Sequence, residues 1–310
     1  MKFVYLRPID RAENKIEEKD MSYSIGIVVN VGTGTVPFAD ILLAGDASST
    51  RFFGANTSSL KCYQSVYLKN IYWRSHRPYA ENILPLWISL PEGYKNRMAS
   101  LNATFIDDFL KLNRFVEKVS HSALTPFVEK LQHDEGLLEA FITIPASMDN
   151  HHSCSHGLLA HSVEVTQLTL DRLSALNKSD EEVQVGIIGA LFHDIGKCFH
   201  ASCTNELKYV PNNHEEKTMV ILAEAISALY KWEPSWLDIL EACWATSASV
   251  RNVSSPIVSI VRNADKDSAC DDDCVRKFEG MPSRFWFKVV RDNGKVTRFL
   301  RSRTPLKRFG

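Results

Sequence analysis

The sequence predicts a multidomain α+β chain with a small N-terminal β-barrel, a central all-helical domain and a basic C-terminal β-hairpin. Three observations carry this reading. Between residues 22 and 90, short β-branched and aromatic runs alternate with turn signals such as Gly32-Thr33-Gly34 and Gly45-Asp46. Beyond Pro91-Glu92-Gly93 the apolar period changes from two to 3.6. Near the end, Asp292-Asn293-Gly294 separates two short β-prone segments, a strong hairpin signal. The expected parts are 1–92, 93–278 and 279–310.

In the first part, strands are expected at 24–31, 38–44, 50–54, 65–74 and 83–90. Five short strands in so short a segment suit an OB-like barrel. Phe52, Phe53, Tyr67, Tyr72 and Trp73, with Arg74 and Arg77, admit two readings. They stack and steer a single strand of nucleic acid, or the aromatics alternate into the barrel core, as is common in strands. In the second part, Ile106, Phe109, Leu110 and Leu112 recur helically, as do Phe115, Val116 and Val119. Thr125-Pro126 opens a helix with proline in its first turn. Further helices are expected at 157–176, 182–196, 215–231, 234–246 and 254–268, the second with an acid-rich start at Asp180-Glu181-Glu182. In the tail, strands at 285–290 and 295–300 form the hairpin. From residue 276 on, Lys and Arg far outnumber the two acids, Glu279 and Asp292. Phosphate contact and a solvated terminal hairpin both account for that charge.

Composition narrows the function classes. With 45% hydrophobic and 24% charged residues the chain reads as a soluble globule, and a net charge of -1 excludes a chain-wide polyanion-binding surface while leaving local patches. No apolar run reaches the roughly 18 residues of a membrane span, and the N-terminal apolar stretch is too short for a secretory signal. The seven cysteines are odd in number and contain no Cys-x-x-Cys pair. A reduced, cytoplasmic setting is therefore expected, without membrane partner, as a single chain or a homo-oligomer.

The chemistry concentrates in Phe192-His193-Asp194-Ile195-Gly196-Lys197. His161 lies on a core stripe with Leu158, Val165 and Leu168, where a histidine is ordinarily a hydrogen-bonded core residue. The apolar segment 183–195 is different, because it ends in His193-Asp194. Burying that carboxylate without a partner costs several kcal/mol, and a metal offsets the cost. Asp265, at the end of the apolar helix 256–261, supplies a fourth ligand. Imidazole and carboxylate together suit manganese first, with iron, nickel, zinc or magnesium as other choices.

These residues resemble the H…HD…D signature of the HD superfamily of metal-dependent phosphohydrolases. The resemblance covers residues 100 to 275 and rests on three motifs in order. They are Gly157-Leu158-Leu159-x-His161-Ser162, Ala190-Leu191-Phe192-His193-Asp194-Ile195-Gly196-Lys197 and Ala264-Asp265-x-x-Ser268. A narrower likeness adds Ile144-Pro145-Ala146-Ser147 and His151-His152. It is similar both to the HD domain of TraI-type (MobH) conjugative relaxases and to YhaM-type 3′–5′ exoribonucleases, which join an N-terminal OB fold to an HD domain. The resemblance implies an α-helical HD domain holding a divalent metal with His161, His193, Asp194 and Asp265. Asp194 is the natural bridging carboxylate if a second metal binds; Lys197 neutralises a phosphoryl oxygen or is a helix C-terminal cation favoured by the dipole, and His151 and His152 bind phosphate, protonate a leaving group, ligate the metal or simply face solvent.

Two positions depart from the family pattern. His156-Gly157 stands where paired glycines are usual, and His156 either crowds the turn or adds a polar group. His214 is placed for a second metal, but 241–250 (EACWATSASV) has no further histidine, so one tightly held metal is expected. The expected function is hydrolysis of phosphodiester bonds in single-stranded DNA or RNA, in a 3′–5′ exonucleolytic mode if the exonuclease likeness holds. A nucleotide or cyclic-nucleotide phosphohydrolase, and a catalytically weak nucleic-acid-binding or conjugation accessory protein, are the competing readings.

Overall fold

The computed structural model describes residues 23–32, 36–54, 57, 59–74, 77–147, 152–199, 214–245, 253–292 and 295–301, with only the backbone at 73, 74, 292 and 295. The chain forms two compact units, Met1–Glu139 and Ala140–Gly310.

The first unit opens with β1 (Tyr23–Gly32), β2 (Phe38–Leu43), β3 (Thr50–Phe53), β4 (Ser65–Arg74) and β5 (Arg77–Pro85). They form one antiparallel sheet in the order β3-β2-β1-β4-β5. Strict alternation in β2 buries Ala39, Ile41 and Leu43, the period-two pattern of a half-buried strand. They meet Val28, Phe52, Leu60, Val66, Leu68 and Ile83 in one apolar core. The rings of Phe53 on β3 and Tyr79 on β5 come within 6.2 Å, so the two edge strands approach each other. No backbone pairing joins these edges among the described residues, and no closed barrel forms.

The fifth strand departs from expectation. It begins at Arg77 and ends at Pro85, pairing with β4 from Arg74↔Arg77 to Val66↔Pro85. Residues 77–82 are too polar to read as a strand, and Pro78 adds a breaker. An edge strand tolerates both, because one side of its backbone has no ladder partner. The expected continuation to residue 90 instead leaves the sheet, and side chains bond its backbone. Asn113 Oδ1 accepts the Ile88 N–H at 2.7 Å, and Ser65 Oγ accepts the Leu90 N–H at 2.9 Å.

A 3₁₀ segment (Glu92–Ser100) follows, then α1 (Ala103–Glu117), α2 (Thr125–His133) and α3 (Glu135–Thr143). Asn102 caps α1 by accepting the Phe105 N–H, and Pro126 sits in the first turn of α2. The period change at Pro91 marks a change of secondary structure, while the compact units divide within α3, so the helices between 92 and 133 belong to the unit of the sheet.

The described residues of the second unit up to 277 carry α4 (Gly157–Ala175), α5 (Asp180–Leu191), a 3₁₀ turn (Ile195–Cys198), α6 (His214–Ile221), α7 (Ala223–Trp232), α8 (Pro234–Trp244) and α9 (Pro256–Lys277). Ser179 and Glu182 form a reciprocal capping box at the start of α5. The helix expected over 215–231 breaks at Leu222. The helix expected over 254–268, which carries Asp265, does not stop there but runs on to Lys277. Its later turns are polar because one side reaches buried polar partners, described below, and the other meets solvent.

The described chain closes with β6 (Phe287–Asp292) and β7 (Lys295–Leu300), the expected antiparallel hairpin with its first strand two residues later than the sequence suggests. Lys288 Nζ donates to the Lys277 carbonyl at the end of α9. The opposite face leaves Phe287, Val289, Val296 and Leu300 exposed. Among the described residues, no helix is long and apolar enough to cross a membrane.

Candidate metal centre

Three helical elements bring the predicted ligands together. His161 projects from the second turn of α4 and is fully buried. His193 and Asp194 lie just past the end of α5, which stops at Leu191 rather than continuing to residue 196. His193 itself helps to end the helix, since its Nδ1 donates to the Ala190 carbonyl at 2.7 Å, one of the acceptors a helix end leaves without a backbone partner. Asp265 stands in the middle of α9.

Their donor atoms converge. His161 Nε2 lies 3.1 Å from His193 Nε2, 3.2 Å from Asp265 Oδ1 and 3.6 Å from Asp194 Oδ2. His193 Nε2 lies 3.4 Å from Asp194 Oδ2 and 3.7 Å from Asp265 Oδ1. Donors bonded at about 2.0–2.2 Å to one ion stand about 3.0–3.6 Å apart, so the spacing fits a single cation. His161, His193 and Asp265 lie mutually within 4.8 Å. Asp194 is drawn partly aside by Lys197, whose Nζ donates to Oδ2 at 2.5 Å.

The outer hydrogen bonds fit a cation too. A carbonyl only accepts, so His193 keeps a proton on Nδ1 and turns Nε2 inward, where its lone pair would be available to a cation. His161 Nδ1 lies 3.0 Å from Ser268 Oγ, with its Nε2 likewise facing the centre. Two imidazole nitrogens aimed at one point suit a metal; without one, they must share a proton.

The electrostatics follow from burial. Burial lowers His161 to about 4 against the pull of Asp265 and Asp194. In His193 burial also opposes the charged form, but Asp194 and Asp265 together outweigh it and raise it to about 9. Asp194 is held well below the usual carboxylate range; burial opposes this, and Lys197, His193 and His214 prevail. The Asp265 side chain is 43% exposed while those of its three companions are at most 8% exposed, so the centre opens to solvent on the Asp265 side.

His214 begins α6 and places Nε2 3.1 Å from Asp194 Oδ1, the oxygen turned away from the imidazole pair. Glu215 Oε1 lies 3.7 Å from the same nitrogen. Gly196 makes this approach possible, because a Cβ there would sit 1.7 Å from the His214 carbonyl oxygen. The Gly196 N–H donates to Thr218 Oγ1, and Thr218 donates to the His214 carbonyl. His214 therefore faces Asp194 rather than the cluster of His161, His193 and Asp265.

His151 lies outside the described residues. His152 points its Nε2 toward Glu164 Oε2 at 3.3 Å and Ser268 Oγ at 3.4 Å, and its backbone N–H donates to Asp272. Its ring centroid is 5.2 Å from that of His161. His156 occupies the left-handed region at φ 67°, which explains why glycine suits this position. Its imidazole bonds the Ile142 carbonyl, so it anchors the turn rather than lining the centre. Glu164 was not anticipated. It reads as a solvent-facing acid, and its only clue is its place one turn beyond His161. Its carboxyl is held below its ordinary value, first by the His152 hydrogen bond and against burial.

Comparison with family models, with curated proteins and with solved structures gives no match.

Proposed function

We propose that the second unit is an HD-type metal-dependent phosphohydrolase centre, and that the chain hydrolyses phosphodiester bonds in single-stranded nucleic acid. The observation that carries this reading is the convergence of His161, His193, Asp194 and Asp265, with both imidazoles anchored through Nδ1 and open at Nε2. The order and spacing of the H…HD…D motifs support the same class. The chemistry that a divalent cation supplies is a water nucleophile near neutral pH and polarisation of a phosphoryl oxygen. The four side chains would hold it, with manganese first among the candidates.

The chain's own residues then have distinct tasks. Asp265, at the solvent side, leaves room for the scissile phosphate. Lys197 is buried beside Asp194 and supplies a fixed positive charge to a non-bridging oxygen. Asp194 turns its second oxygen toward His214, and these two groups would be the donors for a weaker second cation if one binds. His152 borders the centre and is the group from which a leaving oxygen can take a proton.

Two surfaces support a nucleic-acid substrate. In the first unit, the open antiparallel sheet is read as an incompletely closed OB-like fold, its edge strands approaching at Phe53 and Tyr79. Of its aromatics Phe52 belongs to the core, whereas Phe38, Phe53, Tyr79 and Tyr72 form a continuous ladder, with Arg51 over Phe38 and Arg77 over Phe53. Such rings stack bases without regard to sequence. In the second unit, the open face of the hairpin alternates Phe287, Val289, Val296 and Leu300 with Arg291 and Arg298.

The test is to load the protein with manganese and incubate wild type, Asp194→Ala and Asp265→Ala with end-labelled single-stranded DNA and RNA. Wild type releases product and the variants lose both manganese and at least about 100-fold in rate. Cleavage by Asp194→Ala at the wild-type rate would sink the assignment. Binding without cleavage by all three would establish the accessory-protein reading instead.

A further inference from the structure

We propose that Glu164 is a positioning residue that holds His161 in its metal-binding tautomer through the hydroxyl of Ser268. The proposal rests on reading the centre as a metal site.

Glu164 follows His161 by one turn on α4, and Ser268 follows Asp265 by one turn on α9. The two pairs face each other at the same pitch. Asp265 Oδ1 meets His161 Nε2 on one side of the ring, while Ser268 Oγ meets Nδ1 on the other. Ser268 is fully buried and its Oγ lies 2.9 Å from Glu164 Oε2 and 3.0 Å from His161 Nδ1.

The direction of this chain follows from what each group can do. An ionised carboxylate only accepts, whereas a hydroxyl has one proton to donate. Ser268 therefore donates to Glu164, leaving its lone pairs for an N–H. The proton of a neutral His161 must then sit on Nδ1, and Nε2 is bare toward the centre. His193 reaches the same state by another device, the Ala190 carbonyl. Both anchors end in an obligate acceptor, one a backbone group and one the side chain of Glu164. His152 stands on the outer side, with Nε2 toward both Glu164 and Ser268 and its backbone tied to Asp272. A simple ion pair between Glu164 and His152 would need no buried hydroxyl bridging to His161.

The experiment measures Mn²⁺ affinity by chelator competition in wild type, Glu164→Gln, Ser268→Ala and the double variant, with circular dichroism and melting temperature checking the fold of each. Glutamine keeps the shape but also donates, so it no longer dictates which way the hydroxyl points. Each single variant is expected to bind Mn²⁺ about 10–100-fold more weakly. The double variant should bind no more weakly than Ser268→Ala alone, because groups acting in series do not add. Wild-type affinity in Glu164→Gln, or losses that add in full, would overturn the relay while leaving the metal site standing. A wild type that binds no Mn²⁺, and so does not differ from His193→Ala, overturns both the site and the relay.

Discussion

Among the described residues both units bury neutral polar side chains, but the second also buries two histidines, an aspartate and a lysine. In the first, Ser65 and Asn113 are neutral, and each accepts a backbone N–H from the stretch that leaves the sheet after β5. A buried peptide group needs such a partner whatever the protein does. In the second, His161, His193, Asp194 and Lys197 are buried together, and the bonds they make are largely to one another. Folding does not require that arrangement, since apolar residues of similar volume often replace a buried ionic cluster without loss of stability. In the first unit neutral burial serves the backbone, whereas the charged burial of the second marks the place to look for chemistry.

The contrast is most sharply tested at Lys197. Lys197→Met keeps the length of the side chain and removes its charge. With the phosphate role, hydrolysis falls roughly 100-fold while bound manganese is retained, as for loss of one electrostatic contact to a transition state. An unchanged rate would reduce Lys197 to a countercharge for Asp194. A smaller effect is expected in the first unit. Asn113→Leu leaves the buried Ile88 N–H without an acceptor and lowers stability by about 1–3 kcal/mol, read by urea denaturation, with Mn²⁺ affinity unchanged. Should the metal affinity fall as well, the division between a backbone-serving and a chemical polar interior is too simple.

The smallest effect belongs to the solvent-facing pair of Asp40 and Arg51, 2.7 Å apart across β2 and β3. The Arg51 hydrogen bond holds Asp40 below its ordinary value of 3.8. A carboxylate depressed in the folded state adds stability above its unfolded pKa and loses it as pH falls through the folded value. Half of the Arg51 side chain is exposed, so the contribution is slight. Asp40→Asn should lower the melting temperature marginally at pH 7, and the difference from wild type should vanish as the medium is acidified below 3.8. A difference that persists in acid would assign the effect to packing against Asn30 and Arg51 rather than to charge.

Much of the architecture was legible because it is written in local periods. The β2 alternation, the Ser179 to Glu182 start of α5 and the Asp292-Asn293-Gly294 hairpin each depend on residues close in sequence. The misread elements share the opposite property. Residues 77–82 become strand only by pairing with β4, and the second half of α9 stays helical although its apolar stripe fades. The cluster around His193 and Asp194 was legible because a histidine adjacent to an aspartate at the end of an apolar helix is costly without a partner. The relay through Glu164 was not, since a glutamate on a helix face has the same local signature whether it meets water or a buried serine.

The sequence by itself determined the strand–helix–hairpin order, the absence of a long apolar segment and the four residues best suited to a shared cation. Those follow from composition and short-range periodicity, which the chain carries before it folds. Tertiary structure alone decided that the sheet edges approach without closing, that His214 meets Asp194 and that Ser268 bridges to Glu164 across 104 residues of sequence. A hydrogen bond depends on separations of about 3 Å, and distances that small between remote residues exist only once the helices have packed.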